Sequence, residues 1–525
     1  ADAADGAGDE GFDWAAENEI IENQASAWTE TSKSAFFISV DFSDVAGEVV
    51  SQSVLANILN TTVSDNIGDQ SYGKTSIVAE VSATTVRMPD PSTDYLPSST
   101  TTLYNDAKAA YEVLAGAGAL AAYDIVGVHF PSIGLESGGI VFSGLASVGG
   151  SRHWLQGTTS SETIIHEFGH NYGLGHASYW DTTDGSVVGT GASVEYGDPF
   201  DIMGDGPDPE GHFHMQAKSR LNWIEDSQWI DADSAGSGTY RLYRIDDAAT
   251  TGTIKGLRAM KGNSPDEYYW VGYRTGIPNN AYLPNGAYLL WQRPGESRSW
   301  LLDATPDSGA GKEDAAIPLG ATYSDTAAGV HITPLATGGG GSDAWIDVSV
   351  QLGSFPGNAA PSASLSVPAS IAARTPTSFG ANANDPNGDP LAYLWDFGDG
   401  APSPNSASVQ KSWTVGGTYT VDLTVSDMKG GTGTDSRTVT VSDPLDSWSQ
   451  GTVVAGREID ALEYLDGRFI ATGSKYAYLS FDGDSWEESY LALNFFSGGI
   501  DGDGERFVIA GQDWNGSSWV GAIFF

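Results

Sequence analysis

Between residues 166 and 176 the chain reads His-Glu-Phe-Gly-His-Asn-Tyr-Gly-Leu-Gly-His, and these positions impose a local geometry that the surrounding fold has to supply. His166 and His170 lie four apart, so on a helix they leave one face a turn above each other and can share a metal ion. Glu167 sits beside the first, where its carboxylate can reach a water on that metal without being a ligand. Gly173 can take backbone angles closed to other residues, which lets the chain leave the helix and return His176 as a third imidazole. The pattern predicts a helix over about 161–172, capped by Ser160 or Ser161, with Glu162 at its positive end. Three neutral imidazoles and one open position describe a catalytic zinc site rather than a closed structural one. A bare His-Glu-x-x-His arises by chance in helices, but this longer register draws three of only eight histidines in the chain.

The extended motif resembles the signature of the metzincin clan of zinc endopeptidases. Asp201-Ile202-Met203-Gly204 fits the tight turn of that clan, whose methionine lies beneath the metal, and Met203 is one of five methionines in the sequence. Within the clan the chain resembles the gametolysin and immune inhibitor A type. Val40-Asp41-Phe42-Ser43-Asp44, Ser71-Tyr72-Gly73-Lys74, the run from Gly144 to Gly150, Tyr196 to Gly204, and Ala217 to Trp223 carry that likeness, in order. The resemblance implies zinc held by His166, His170 and His176, with Glu167 as the general base that activates water against a peptide carbonyl. It also implies an extended substrate lying against an edge strand, which assigns Gly144, Leu145, Ala146 and Gly149 as a backbone rail. Some metzincins place a tyrosine two residues after the turn methionine; here Asp205 stands there. Tyr196 reads as a structural residue with a secondary role in substrate contact. His212 and His214 read as a pocket wall or surface residues, and His129, His153 and His331 as strand residues. Asp198, Asp201, Asp205 and Asp208 are candidates for structural calcium, although turns use aspartate freely.

Composition narrows the setting. There is no cysteine, so disulfides and a cysteine-based propeptide latch are excluded. With 68 acidic against 24 basic residues the formal charge is −44, a surface that repels nucleic acid and anionic membrane. No apolar run is long enough to span a bilayer. The chain opens on Ala1-Asp2-Ala3-Ala4 without methionine or an apolar leader, which suggests a secreted protein after signal-peptide removal; a longer chain cut at this point would look the same.

At 525 residues the chain exceeds one core. Texture predicts a multidomain protein: an acidic arm over 1–30, an α/β zincin catalytic domain over 31–229, and all-β modules beyond. In the catalytic part, strands are expected over 35–42, 75–86 and 123–130, with a short helix over 54–59 and an alanine-rich helix over 103–123. Alternating stretches at 238–244, 268–274, 286–292, 330–334 and 345–350 predict a β-sandwich over 230–353.

The region 354–443 comprises a linker and a segment that closely resembles the PKD domain, an immunoglobulin-like sandwich. Tyr393 to Gly400 and Gly417 to Asp427 carry the likeness, with Trp395 and Phe397 alternating into the core. Asp385-Pro386-Asn387-Gly388-Asp389 reads as a turn. In 444–525, Asp446-Ser447-Trp448 recurs as Asp484-Ser485-Trp486 and Gly467–Gly473 recurs as Glu505–Gly511, 38 residues on. That period with β character resembles propeller blades, in an incomplete set. Two functions compete. One is a secreted zinc endopeptidase acting on extracellular proteins or glycoproteins, whose C-terminal modules hold a polymeric or cell-surface ligand. The other is an adhesion or glycan-binding protein on a metzincin scaffold, suggested by tryptophans such as Trp395, Trp413, Trp448, Trp486, Trp514 and Trp519.

Overall fold

A computed structural model describes residues 28–524 except 96–99, 134–141, 208–209, 251, 263–265, 307, 444–458, 466, 474, 484, 492–494 and 503–506. Most of the acidic arm, Asp208, the Asp446-Ser447-Trp448 repeat and Asp484 therefore lie outside the described residues. The chain divides into two compact units, Ala1–Val441 and Ser442–Phe525.

The first layer is built on β1 (Lys33–Asp41), whose residues are almost all buried, as a central strand covered on both faces requires. Alternation sends Ala35 and Phe37 to one core and Phe36, Ile38 and Val40 to the other. The first core is closed by α1, which runs from Gln52–Ile58 through a π turn, Leu59–Val63, into Ser64–Gln70. The second is closed by α2 (Thr100–Ala115). Among the described residues, β2 (Ile77–Val81), β3 (Val86–Arg87), β4 (Ile125–Phe130), β5 (Gly144–Ala146) and β6 (Arg152–Gln156) complete a sheet in which β2, β1, β4, β6 and β5 are neighbours in that order. All pairings are parallel except β5 with β6, which leaves β5 antiparallel at the edge. The helix α3 (Ser161–Tyr172) packs beneath this sheet through Ile164, Ile165 and Phe168.

α2 stops eight residues short of the expected end. Gly116 adopts φ +100°, a left-handed conformation that ends the helix at Ala115 although alanines follow. α1 is much longer than expected, because Leu55, Leu59, Val63 and Ile67 keep one buried stripe through the π turn.

After α3 come β7 (Ala177–Thr182), β8 (Gly191–Val194) and α4 (Met215–Arg220). Seven further strands follow, namely β9 (Trp229–Asp231), β10 (Gly238–Tyr243), β11 (Gly256–Met260), β12 (Tyr268–Gly272), β13 (Gly286–Gln292), β14 (Ser299–Leu302) and β15 (Ile317–Pro318). β8, β7, β14, β13, β12, β11 and β9 form one sheet, with β15 attached to β13. One face meets the sheet of β10, β16 (Tyr323–Asp325), β17 (Val330–Gly338) and β18 (Trp345–Leu352), and buries Leu257, Tyr269, Leu289, Ile332, Ile346 and Val348 between them. The opposite face packs Trp270, Leu290 and Leu301 against Phe200, Met215 and Ile224. The expected boundary at 229 thus runs through a sheet: β7 and β8 lie before it, and β14, which pairs with β7, lies after it.

Residues 362–442 form two antiparallel sheets around Trp395, Phe397, Trp413, Phe379 and Val421, with the rings of Trp395 and Phe397 stacked at 5.8 Å. The Asp385 carboxylate accepts from Asn387 and Asp389 N–H at 2.8 and 3.0 Å, which makes this segment a turn. The module is seated on the sandwich. Asn405 Nδ2 donates to Leu335 O at 3.2 Å, the hydroxyls of Thr322 and Ser426 lie 2.7 Å apart, and a Cβ on Gly320 would come within 2.0 Å of Tyr393 O.

In the second unit, strands Ala461–Leu465, Arg468–Gly473, Tyr476–Ser480 and Glu487–Tyr490 form one antiparallel meander, and Phe495–Gly502, Phe507–Trp514 and Trp519–Phe524 another. The repeated segments contribute the second strand of each. Among the described residues no helix is long and apolar enough to cross a membrane.

Candidate metal centre

α3 begins where Ser160 Oγ accepts the Thr163 N–H at 3.5 Å, and ends at Gly173, whose φ of +114° turns the chain back. The turn brings His176 to the face that carries His166 and His170. One ring nitrogen from each lies within 4.8 Å of the others, and the ring centroids are separated by 4.9 to 5.4 Å.

The outward nitrogen of every ring faces an oxygen. His166 Nδ1 lies 2.8 Å from Ile202 O, His170 Nδ1 2.8 Å from Leu174 O, and His176 Nδ1 2.7 Å from Glu195 Oε1. Carbonyl and carboxylate oxygens only accept, so each Nδ1 carries the proton and each Nε2 presents a lone pair. Burial pushes His166 down to about 4, and it holds His170 and His176 well below the ordinary histidine range, helped by the neighbouring imidazoles. Three neutral imidazoles with convergent lone pairs fit a tetrahedral zinc with one position open.

The turn at 201–204 builds the floor. Asp201 accepts from the N–H groups of Met203 and His214 at 2.8 and 2.7 Å, and Asp198 accepts from Phe200 N–H at 2.9 Å. So braced, the turn offers Ile202 O to His166 and Met203 O to Ala177 N–H at 2.8 Å. The Met203 thioether lies against the helix, where a Cβ on Gly169 would meet Sδ at 2.3 Å. Glycine at 169 is what lets the methionine sit against the helix at this turn.

Glu167 is buried between α3 and the edge strand. A Cβ on Gly144 would stand 2.5 Å from its Oε1, so the carboxylate rests directly on the backbone of β5. Gln156 N–H donates to Ser143 O and Ser147 N–H to Arg152 O, so in this antiparallel register Gly144 and Ala146 turn their peptide groups to the outer edge. Leu145 faces β6. Gly149 acts on the helix instead, since at φ +66° its N–H donates to His170 O at 2.8 Å and closes the end of α3.

Tyr196 lies at the centre, more closely than its sequence position suggests. Its ring centroid is 3.9 Å from that of His176 and 5.8 Å from that of His166, its φ is +57°, and it is 41 % exposed. His212 is 9 % exposed with its N–H on Phe200 O, and His214 is fully buried with Nε2 3.0 Å from Asp198 Oδ2. Neither is a surface residue. His129, His153 and His331 lie in β4, β6 and β17. Among the described residues the three motif histidines are the one cluster suited to a metal; Asp198 and Asp201 are occupied in bracing the turn. Glu195 and Arg298, which reach the site from 19 and 122 residues beyond His176, carry no spacing signal in the sequence.

Residues 43–270 match the gametolysin peptidase M11 family. This region is gametolysin-like. The match runs past 229 to β12, as a sheet shared across that point requires. Residues 358–441 match the PKD domain family. Among curated proteins, 61 residues are 43 % identical to the pre-pro-metalloprotease PrtV of Vibrio cholerae, covering 12 % of this chain and 6 % of that protein. The same length is 41 % identical to a microbial collagenase of Vibrio alginolyticus, covering 12 % and 7 %. The chain thus spans a small fraction of these relatives. Among solved structures, the PKD1 domain of Vibrio anguillarum Epp is 36 % identical with a TM-score of 0.15, covering 17 % of this chain and 99 % of that one. The two family matches thus put a gametolysin-like region and a PKD domain in one chain.

Proposed function

We propose that the protein is a secreted zinc endopeptidase of the metzincin type that cleaves extracellular proteins or glycoproteins. The observation that carries this reading is the set of three Nδ1–H groups committed to Ile202 O, Leu174 O and Glu195, which turns three lone pairs to one point. His166, His170 and His176 would hold zinc, which when bound supplies Lewis acidity toward a peptide carbonyl and acidifies water. Glu167, wedged between the helix and β5, accepts the proton of the attacking water and returns it to the leaving amine. Gly144, part-exposed with its peptide groups turned outward, receives an extended substrate as an added strand, with Leu145 holding the register from the opposite side and the buried Ala146 continuing the rail. Gly149 supports this edge from below by tying it to the helix. Tyr196, exposed beside His166 and His176, forms the wall that a bound peptide meets. His212 supports the floor of the site from within. The modules beyond 354, including the blade-like repeats over 444–525, hold a polymeric or cell-surface ligand.

A scaffold used only for adhesion has no use for a carboxylate buried against an edge strand, and this sets the second reading aside. Casein cleavage by the whole chain is expected to vanish with chelator, to return on adding zinc, and to vanish in Glu167→Gln while zinc stays bound. Undiminished cleavage in Glu167→Gln, or a purified protein that takes up no zinc, contradicts the proposal.

A further inference from the structure

The three imidazoles are not held alike. His166 and His170 are oriented by backbone carbonyls of the turn and of the helix terminus, which cannot move without unravelling those elements. His176 is oriented by a side chain, Glu195, and that side chain is held in turn by Arg298, whose Nη1 lies 2.9 Å from Glu195 Oε1. Arg298 belongs to the loop between β13 and β14, beyond the point where the sequence suggested the catalytic domain would end.

That loop is seated firmly. Gly175 N–H donates to Ser297 O at 3.2 Å, and Gln216 Nε2 of α4 donates to Arg298 O at 3.0 Å. A Cβ on Gly175 would lie 2.8 Å from Ser297 Oγ and 3.0 Å from Arg298 Cγ, so the loop packs directly against the segment bearing the third histidine. Glu195 and Arg298 are 34 % and 32 % exposed, partly shielded from solvent. The carboxylate fixes the tautomer of His176 and raises the basicity of its Nε2, and the guanidinium keeps the carboxylate in place.

We propose that Glu195 and Arg298 are positioning residues for the third ligand, so that the metal centre is completed by the β part of the molecule. This rests on the zinc reading given above. The test measures zinc affinity of the whole purified chain by competition with a chromophoric chelator, beside a thermal melt of each zinc-free variant. Glu195→Ala is expected to weaken zinc binding by ~10- to 100-fold. Arg298→Ala is expected to weaken it by on the order of 10-fold in the wild-type background and to add nothing in the Glu195→Ala background, because its effect passes through Glu195. If an alanine variant fails to fold, Glu195→Gln and Arg298→Lys replace it. The amide oxygen of Glu195→Gln still accepts from Nδ1, so its loss is expected to be smaller than that of a variant without an acceptor.

Unchanged zinc affinity in the Glu195 variants overturns the proposal. So does an Arg298 effect of equal size in both backgrounds, which marks a general packing role. A wild-type chain that takes up no zinc instead overturns the endopeptidase reading itself, so the two failures are told apart.

Discussion

Replacing Gly144 by alanine tests the placement of Glu167, the proposed general base, more sharply than removing its carboxylate. The new methyl would stand 2.5 Å from Glu167 Oε1, 2.6 Å from its Cγ and 2.8 Å from Thr163 Cγ2. Ordinary contacts of this kind are at about 3.5 Å or more, so the Glu167 side chain has to retreat by roughly 1 Å. A displacement of that size at a reacting group costs on the order of 100-fold in rate. Two decades correspond to about 2.7 kcal/mol of barrier. Gly144 is at a sheet edge and is not in the left-handed region, so the backbone accepts alanine and the fold survives. Steady-state cleavage of a fluorogenic peptide, with zinc content and melting temperature measured on the same sample, is the assay. The expected outcome is a kcat lower by about two decades, with full zinc occupancy and a nearly unchanged melt. Wild-type kcat with zinc bound refutes the argument, because it shows that the carboxylate does not need the space that glycine leaves.

Gly169→Ala drives a methyl into the Met203 thioether, 2.3 Å away in the present geometry, and should destabilise the chain by about 1–3 kcal/mol in a denaturant titration. Burial holds both His153 and His166 at about 4, so between that value and the unfolded value near 6.5 the unfolded chain binds more protons than the folded one. Stability of the zinc-free protein should therefore fall as pH drops through this window, by up to about 1.4 kcal/mol per pH unit for each histidine. Urea midpoints measured from pH 7 to 4 check this, and a midpoint independent of pH argues against both burials. Gly320→Ala combines φ +83° with a methyl 2.0 Å from Tyr393 O, and is expected to loosen the PKD module, read as faster protease cleavage between 353 and 361.

The local parts of the site are legible in the sequence because their causes are local. Ser160, Gly173 and the spacing of three histidines define α3 and its exit, and the turn methionine follows within the same neighbourhood. The strands at 286–292 and 268–272 are readable from their alternation. What stays hidden depends on partners far away in the chain. Ala177–Tyr179 pairs in parallel with Ser299–Leu301, and no local residue announces such a partner. The same distance conceals Arg298. The closeness of Tyr196 to the histidines escapes sequence reasoning for another reason. Its left-handed backbone folds the ring back over His176, and a tyrosine in that conformation leaves no compositional trace. The end of α2 shows the reverse effect, in which helix-favouring alanines mask two glycines that stop it.

The sheet that runs from β8 to β9 sets a limit on how this molecule can be divided by protein engineering or by recombination. A fragment ending near 229 would keep β7 but lose β14, opening the edge of β7 that Ser299–Leu301 now covers along residues 177–179 and stripping Phe200 and Met215 of their apolar cover. Exposed edges of this kind pair with whatever strand they meet, and such a fragment should aggregate. The smallest transplantable unit that carries the three histidines would then reach to about residue 352, so the β-sandwich has to be inherited with them.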